Sequence, residues 1–147
     1  MHLLTSTMCW LVLGSSFLLA QPATAAEEQL KGTWIATAAQ RGGKAADDVI
    51  GHRLFFSANR FEIRSKEGKS LYSGMTRVDA SAKPAAIDFE HTEGLAKGKT
   101  WRGIYVLDGG TLTICDNAPN VDGHRPIGFK ANSGSGYELI TFRSAHP

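Results

Sequence analysis

The chain lacks most of the features that give a sequence a quick functional assignment. It has two cysteines, Cys9 and Cys115, too few for a disulfide scaffold. Residues 1–25 contain no Asp, Glu, Lys or Arg, and all such residues lie from Glu27 onward. The N-terminal apolar run, Cys9–Ala20, is 12 residues long, short of the about 20 that a membrane-crossing helix needs. The formal charge of +2 lacks the concentrated positive charge of a nucleic-acid or anionic-membrane binder, so no nucleic-acid partner is expected. No segment carries a sustained apolar stripe at helical spacing. The length of 147 residues is that of one domain. With 20% charged residues, the chain is too polar for an integral membrane protein and too apolar for a disordered one.

The apolar run is followed by Gln21-Pro22 and then Ala23-Thr24-Ala25, the small-x-small pattern that fits the narrow subsites of a signal peptidase. This predicts a secretory signal over 1–25, cut after Ala25, and a domain over 26–147 with no transmembrane segment. The expected location is extracytoplasmic, periplasmic or secreted. The n-region departs from the pattern in having His2 but no Lys or Arg. Removal of the signal takes Cys9 with it and leaves Cys115 alone, so no intramolecular disulfide forms. Cys9 does not follow the small residues of a lipoprotein site, and no lipid anchor is expected. Cys115 ends the apolar run Leu112-Thr113-Ile114-Cys115 and reads as a buried small hydrophobe.

From Lys31 the chain becomes a series of period-two segments separated by Gly, Asp, Asn, Lys and Pro. Strands are predicted over 32–38, 53–57, 60–64, 71–78, 86–92, 100–107, 111–116 and 137–143. Residues 45–51 suit one or two helical turns stopped by Gly51. The connectors at 57–59, 66–69, 97–99 and 108–110 are hairpin-like, and only 117–135 makes a long loop. Strands joined by tight turns must be antiparallel, because parallel pairs need long crossovers. Closing the meander removes its exposed edges. The fold class is therefore all-β: an eight-stranded antiparallel up-and-down barrel with one short helix.

Alternation assigns the inner face. Trp101, Gly103, Tyr105 and Leu107 share one side against Arg102, Ile104 and Val106. Ile87, Phe89 and His91 oppose Asp88 and Glu90, while Leu54, Phe56, Phe61 and Ile63 complete an aromatic-rich interior. A barrel of this size either fills itself with side chains or holds one small ligand, and both outcomes stay open at this stage.

Gly32-Thr33-Trp34 resembles the start of lipocalins, in which a first-strand Trp plugs the narrow end of the barrel. The last-strand Arg that commonly partners it corresponds to Arg143, and guanidinium stacking on an indole gives that pair a physical basis. A longer ordered series carries a second resemblance. It runs through Leu30–Trp34, Lys83–Asp88, Lys97–Thr100, Gly103–Leu112, Cys115 and Arg125-Pro126 to Gly134–Gly136, Leu139 and Arg143. This series is similar to the lipocalin-like extracytoplasmic domain family of planctomycete-type bacteria. The similarity spans about Leu30 to Arg143; Gly110 stands where a second acidic turn residue is usual. The resemblance implies a small exported barrel, structural roles for Trp34 and Arg143, and no activity or catalytic residue.

Several motifs tempt and fail. Gly94–Thr100 has three residues between its glycines, where a phosphate-binding loop needs four, and a strand follows it. Asp116–Gly123 looks like a calcium loop, but with Gly123 at the sixth position Ala118 and Phe129 occupy sites that require carboxylates. His52, His91, His124 and His146 have no spacing that converges on a metal, so no metal or cofactor is expected. Ser133–Gly136 lacks the first glycine and the following helix of a nucleophile elbow. The long loop has the length to cover the barrel mouth, where Arg125 and His124 would meet an anionic ligand; the default for both is a solvated side chain.

Three function classes follow. The first is a carrier or sensor that binds a small apolar or amphipathic ligand among Phe56, Phe61, Phe89, His91, Trp101 and Tyr105. The alternative is a non-catalytic interaction module with a filled core, working through an outer apolar strip of Ile104 and Val106 or the 117–135 loop; the sequence names no protein partner. An enzyme ranks last, because no nucleophile, base and orienter assemble in the sequence, and the expectation is a non-enzyme. An open, polar-mouthed cavity discriminates in favour of the carrier.

Overall fold

The computed structural model describes residues 24–146. The expected signal segment lies outside the described residues except for Thr24 and Ala25, which begin a helix. Helix α1, Ala25–Leu30, starts with a capping box. The Thr24 hydroxyl accepts the Glu27 amide at 3.2 Å, and the Glu27 carboxylate accepts the Thr24 amide at 2.6 Å. This is the one α-helix among the described residues, and it lies upstream of the segment expected to be helical. At that segment the chain makes a short 3₁₀ turn, Asp47–Val49. Gly51, at φ +83°, stops it, a conformation that favours glycine.

Nine strands follow: β1 (Gly32–Arg41), β2 (Lys44–Ala45), β3 (Arg53–Ser57), β4 (Arg60–Arg64), β5 (Ser70–Asp79), β6 (Ala86–Gly94), β7 (Thr100–Asp108), β8 (Thr111–Asp116) and β9 (Glu138–Ser144). Strand β2 is a two-residue extension folded back on the end of β1. The other eight pair antiparallel in sequence order, and β9 pairs with β1 to close the sheet. The chain is thus an eight-stranded, antiparallel, up-and-down barrel.

Alternating strand direction sorts the connections between two ends. The β3–β4, β5–β6 and β7–β8 hairpins share one end with α1. The β1–β3, β4–β5 and β6–β7 connections leave from the other, together with the long segment joining β8 to β9. Helix α1 closes the first end: Leu30 is buried, and its carbonyl accepts the indole N–H of buried Trp34 at 2.7 Å.

Three irregularities bend the strands, between Ala36 and Ala38, Ile63 and Arg64, and Ser73 and Gly74. The last requires a glycine, since a Cβ on Gly74 would stand 1.8 Å from the Glu90 carbonyl oxygen. Inside the barrel, Leu54, Phe56, Phe61, Ile87, Phe89, Tyr105, Leu112, Ile114 and Phe142 form one buried cluster. Phe89 anchors its aromatic part, 5.0 Å edge-on from Phe61 and 6.2 Å from Phe56.

Outside the barrel, the β8–β9 segment lies along the wall. Arg125 pins it: Nη1 donates to Asp88 Oδ1 at 2.6 Å and to the Gly103 carbonyl at 2.8 Å. Arg125 is therefore a structural clasp rather than a solvated loop charge. Ile104 points outward, as alternation requires, yet it is 1% exposed and Val106 is 46% exposed. The expected outer apolar strip does not exist, because its larger member lies beneath the loop. Cys115 is fully buried, with its thiol 3.6 Å from the Lys130 carbonyl.

Candidate functional site

The end of the barrel opposite α1 is not filled. A cavity of about 320 Å³ opens there between the inner walls. Its floor is apolar, made by Ala36 of β1, Leu54 of β3, Phe89 of β6, Ile114 of β8 and Phe142 of β9. Higher up, Ile63, Tyr72, Trp101 and Ile140 form the walls. The rim is polar, with Arg41, Asp48, His52, Asp116 and Glu138, and with Ala118 and Pro119 from the start of the long segment. That segment thus contributes its first residues to the mouth, while its remainder runs down the outer wall.

The rim charges follow from strand register. Residues opposite one another on antiparallel strands share a face. Asp116 of β8 stands opposite Glu138 of β9, which stands opposite Arg41 of β1, so all three turn inward. Arg41 Nε donates to Glu138 Oε2 at 3.0 Å, and Arg41 Nη1 lies 3.3 Å from Asp48 Oδ1. Hydrogen bonding to Glu138, together with both neighbouring negative charges, raises the Arg41 pKa above its ordinary value.

Asp116 is 6% exposed. Its Oδ1 accepts the Ala118 amide at 2.9 Å, and among the described residues it forms no ion pair. Burial pushes its carboxyl up to about 7, with Glu138 raising it further and the Ala118 amide and Arg41 opposing. Asp116 is therefore a carboxyl group that titrates near neutrality, on the lip of an apolar chamber.

Two aromatic rings line the same cavity. Tyr72 and Trp101 meet at 4.9 Å between centroids, and burial raises the Tyr72 hydroxyl above its usual pKa. Packed against both is His91, 4% exposed, 4.1 Å from Trp101 and 5.1 Å from Phe61. Neither of its ring nitrogens has a hydrogen-bond partner. Burial alone pushes its pKa down to about 4, so it is a neutral imidazole wedged among aromatic faces.

Of the six interior residues singled out from the sequence, Phe89 and Trp101 line the cavity. Phe56, Phe61, His91 and Tyr105 are buried in the packed barrel around it. Trp34 and Arg143 are not brought together. Arg143 pairs with Ile35, whereas Trp34 pairs with Ser144, so Arg143 is on the outer face and exposed while the indole is inside. The Leu30 carbonyl takes the place of the expected guanidinium.

Sequence reasoning missed the rim. Asp116 continues the inward series Leu112, Ile114, Asp116, and Glu138 continues Phe142, Ile140, Glu138. A carboxylate on the apolar parity of two adjacent strands is a readable signal. Arg41 was hidden by the irregularity at Thr37, which reverses the parity of β1 beyond Ala36. The glycine-rich 94–100 segment is the turn between β6 and β7. In the calcium-like stretch Asn117 serves the backbone, its Oδ1 accepting the Arg102 amide at 2.8 Å and its Nδ2 donating to the Gly123 carbonyl at 2.9 Å.

No helix of the described residues is long and apolar enough to cross a membrane. Comparison of the chain with protein-family models, with curated proteins and with solved structures found no match.

Proposed function

We propose that this protein is an exported, lipocalin-like barrel that binds one small apolar or amphipathic molecule in its interior. The observation that carries the reading is the cavity of about 320 Å³, apolar at its floor and polar at its mouth, in keeping with the usual chemistry of ligand sites. A dry apolar cavity of about 150 Å³ accepts benzene, so this chamber suits a ligand of roughly a dozen heavy atoms. The signal-like N-terminus and the resemblance running from Leu30 to Arg143 support export and the lipocalin-like assignment.

The test is calorimetric titration with 4-phenylbutan-1-ol, which pairs an apolar body with a small polar head. Saturable one-to-one binding is expected. Ala36→Leu, which places extra carbons on the cavity floor, is expected to weaken it at least tenfold. Absence of saturable binding, or binding indifferent to Ala36→Leu in a folded variant, would overturn the proposal.

A further inference from the structure

The charges at the cavity mouth carry more than a generic polar rim. Resting on the ligand-binding reading above, we infer that the preferred ligand is a lipophilic amine, its apolar body on the cavity floor and its ammonium group at Asp116, in the chamber that Tyr72 and Trp101 also line. Three observations converge on this chemistry.

The rim's guanidinium is already committed. Arg41 spends Nε on Glu138 and Nη1 and Nη2 on Asp48, so an anionic head group would have to displace a carboxylate already in place. Asp116 is in the opposite condition. It is more than nine-tenths buried and lines the cavity. One of its oxygens takes the Ala118 amide, while Oδ2 receives no hydrogen bond from any described residue. When ionised, it is a buried charge without a counter-ion, and such a charge is stabilised strongly by a paired cation that donates hydrogen bonds. The aromatic lining supplies the third element. Tyr72 and Trp101 line the same cavity as Asp116, and an ammonium near aromatic faces is attracted by their quadrupoles, more so where water is excluded.

The groups facing Asp116 set the pH response. Glu138 stands opposite it, Arg41 lies beyond Glu138, and Asp48, His52 and Tyr72 complete the titratable set of the cavity. An alkylamine is protonated throughout the range from 6 to 8, and Asp116 ionises within that range. Amine affinity therefore rises with pH by up to about tenfold between 6 and 8, while the affinity of a neutral ligand of the same shape does not.

The experiment is a calorimetric comparison of 4-phenylbutylamine, 4-phenylbutan-1-ol and 4-phenylbutanoate at pH 6 and pH 8. At pH 8 the amine is expected to bind at least tenfold more tightly than the alcohol, with the carboxylate weakest. Asp116→Asn is expected to bring amine and alcohol to within about twofold of each other and to abolish the pH dependence of the amine. Equal binding of the three compounds, or tightest binding of the carboxylate, overturns the amine assignment and leaves the cavity reading standing. Binding of none of them overturns both. Because the three-compound comparison and its pH dependence are measured on the unaltered protein, the result does not depend on whether Asp116→Asn folds.

Discussion

Asp116 and His91 make opposing contributions to stability, and the opposition can be worked through in numbers. The Asp116 carboxyl is pushed up from 3.8 to about 7 in the folded barrel. The unfolded chain therefore loses this proton first, and the stability Asp116 contributes is present in full below about 3.8 and lost as pH rises through 7. His91 runs the other way. Its imidazole is pushed down from 6.5 to about 4, so its contribution is present above 6.5 and lost as pH falls towards 4. At about 1.36 kcal/mol per pH unit for one proton, the Asp116 effect totals roughly 4 kcal/mol and the His91 effect roughly 3 kcal/mol. Between pH 4 and 6.5 folded and unfolded states each hold one proton on this pair, so the two slopes cancel and the pair contributes a flat profile. Asp116→Asn removes one slope: relative to the unaltered protein, the variant should gain about 3 kcal/mol in going from pH 4 to 6.5. His91→Leu should lose a comparable amount over the same range. The assay is urea unfolding followed by tryptophan fluorescence at half-unit pH steps. Taking differences between proteins cancels the exposed carboxylates common to all three. Difference curves that stay flat for both variants would refute the reasoning.

Three further outcomes follow from particular contacts. Gly74→Ala sets a methyl group 1.8 Å from the Glu90 carbonyl oxygen and 2.9 Å from the Thr92 amide; both are backbone, so a loss of roughly 3 kcal/mol is expected from the urea midpoint. Trp34→Phe leaves the Leu30 carbonyl without its 2.7 Å partner at the closed end and should cost about 1–3 kcal/mol, read as a lowered thermal midpoint. Arg125→Ala removes the clasp on the outer wall. Cys115, buried and with its thiol pushed up to about 11, should react slowly with an aromatic disulfide reagent in the unaltered protein. The variant should react about 30-fold faster, from a charge-assisted contact worth about 2 kcal/mol.

The barrel was largely legible because its determinants are local. Period-two alternation and turn residues place eight strands, and short connectors force antiparallel order. Strand β1 runs three residues further than alternation suggested, since the irregularity at Thr37 interrupts its pattern. Helix α1 is difficult to see in the sequence although Thr24 and Glu27 stand at capping-box spacing, because Ala23-Thr24-Ala25 also has the small-x-small pattern of a cleavage site. The 45–51 segment was too short for an α-helix to compete with a 3₁₀ turn. Face assignment succeeded where tertiary burial was more difficult to see. Ile104 is outward-facing yet covered, and nothing in alternation reports what the long segment between β8 and β9 does on the outer wall. The rim is non-local: parity marks Asp116 and Glu138 individually, but only register sets them opposite each other and brings Arg41 alongside.

The most direct test of ligand binding inside the barrel is amide chemical-shift mapping by NMR as 4-phenylbutan-1-ol is added. The account predicts saturating shifts at Leu54, Phe89, Ile114, Asp116 and Ile140, the inner walls of the cavity. Shifts confined to the outer wall around Ile104, Arg125 and Ile127, or none that saturate, would contradict it.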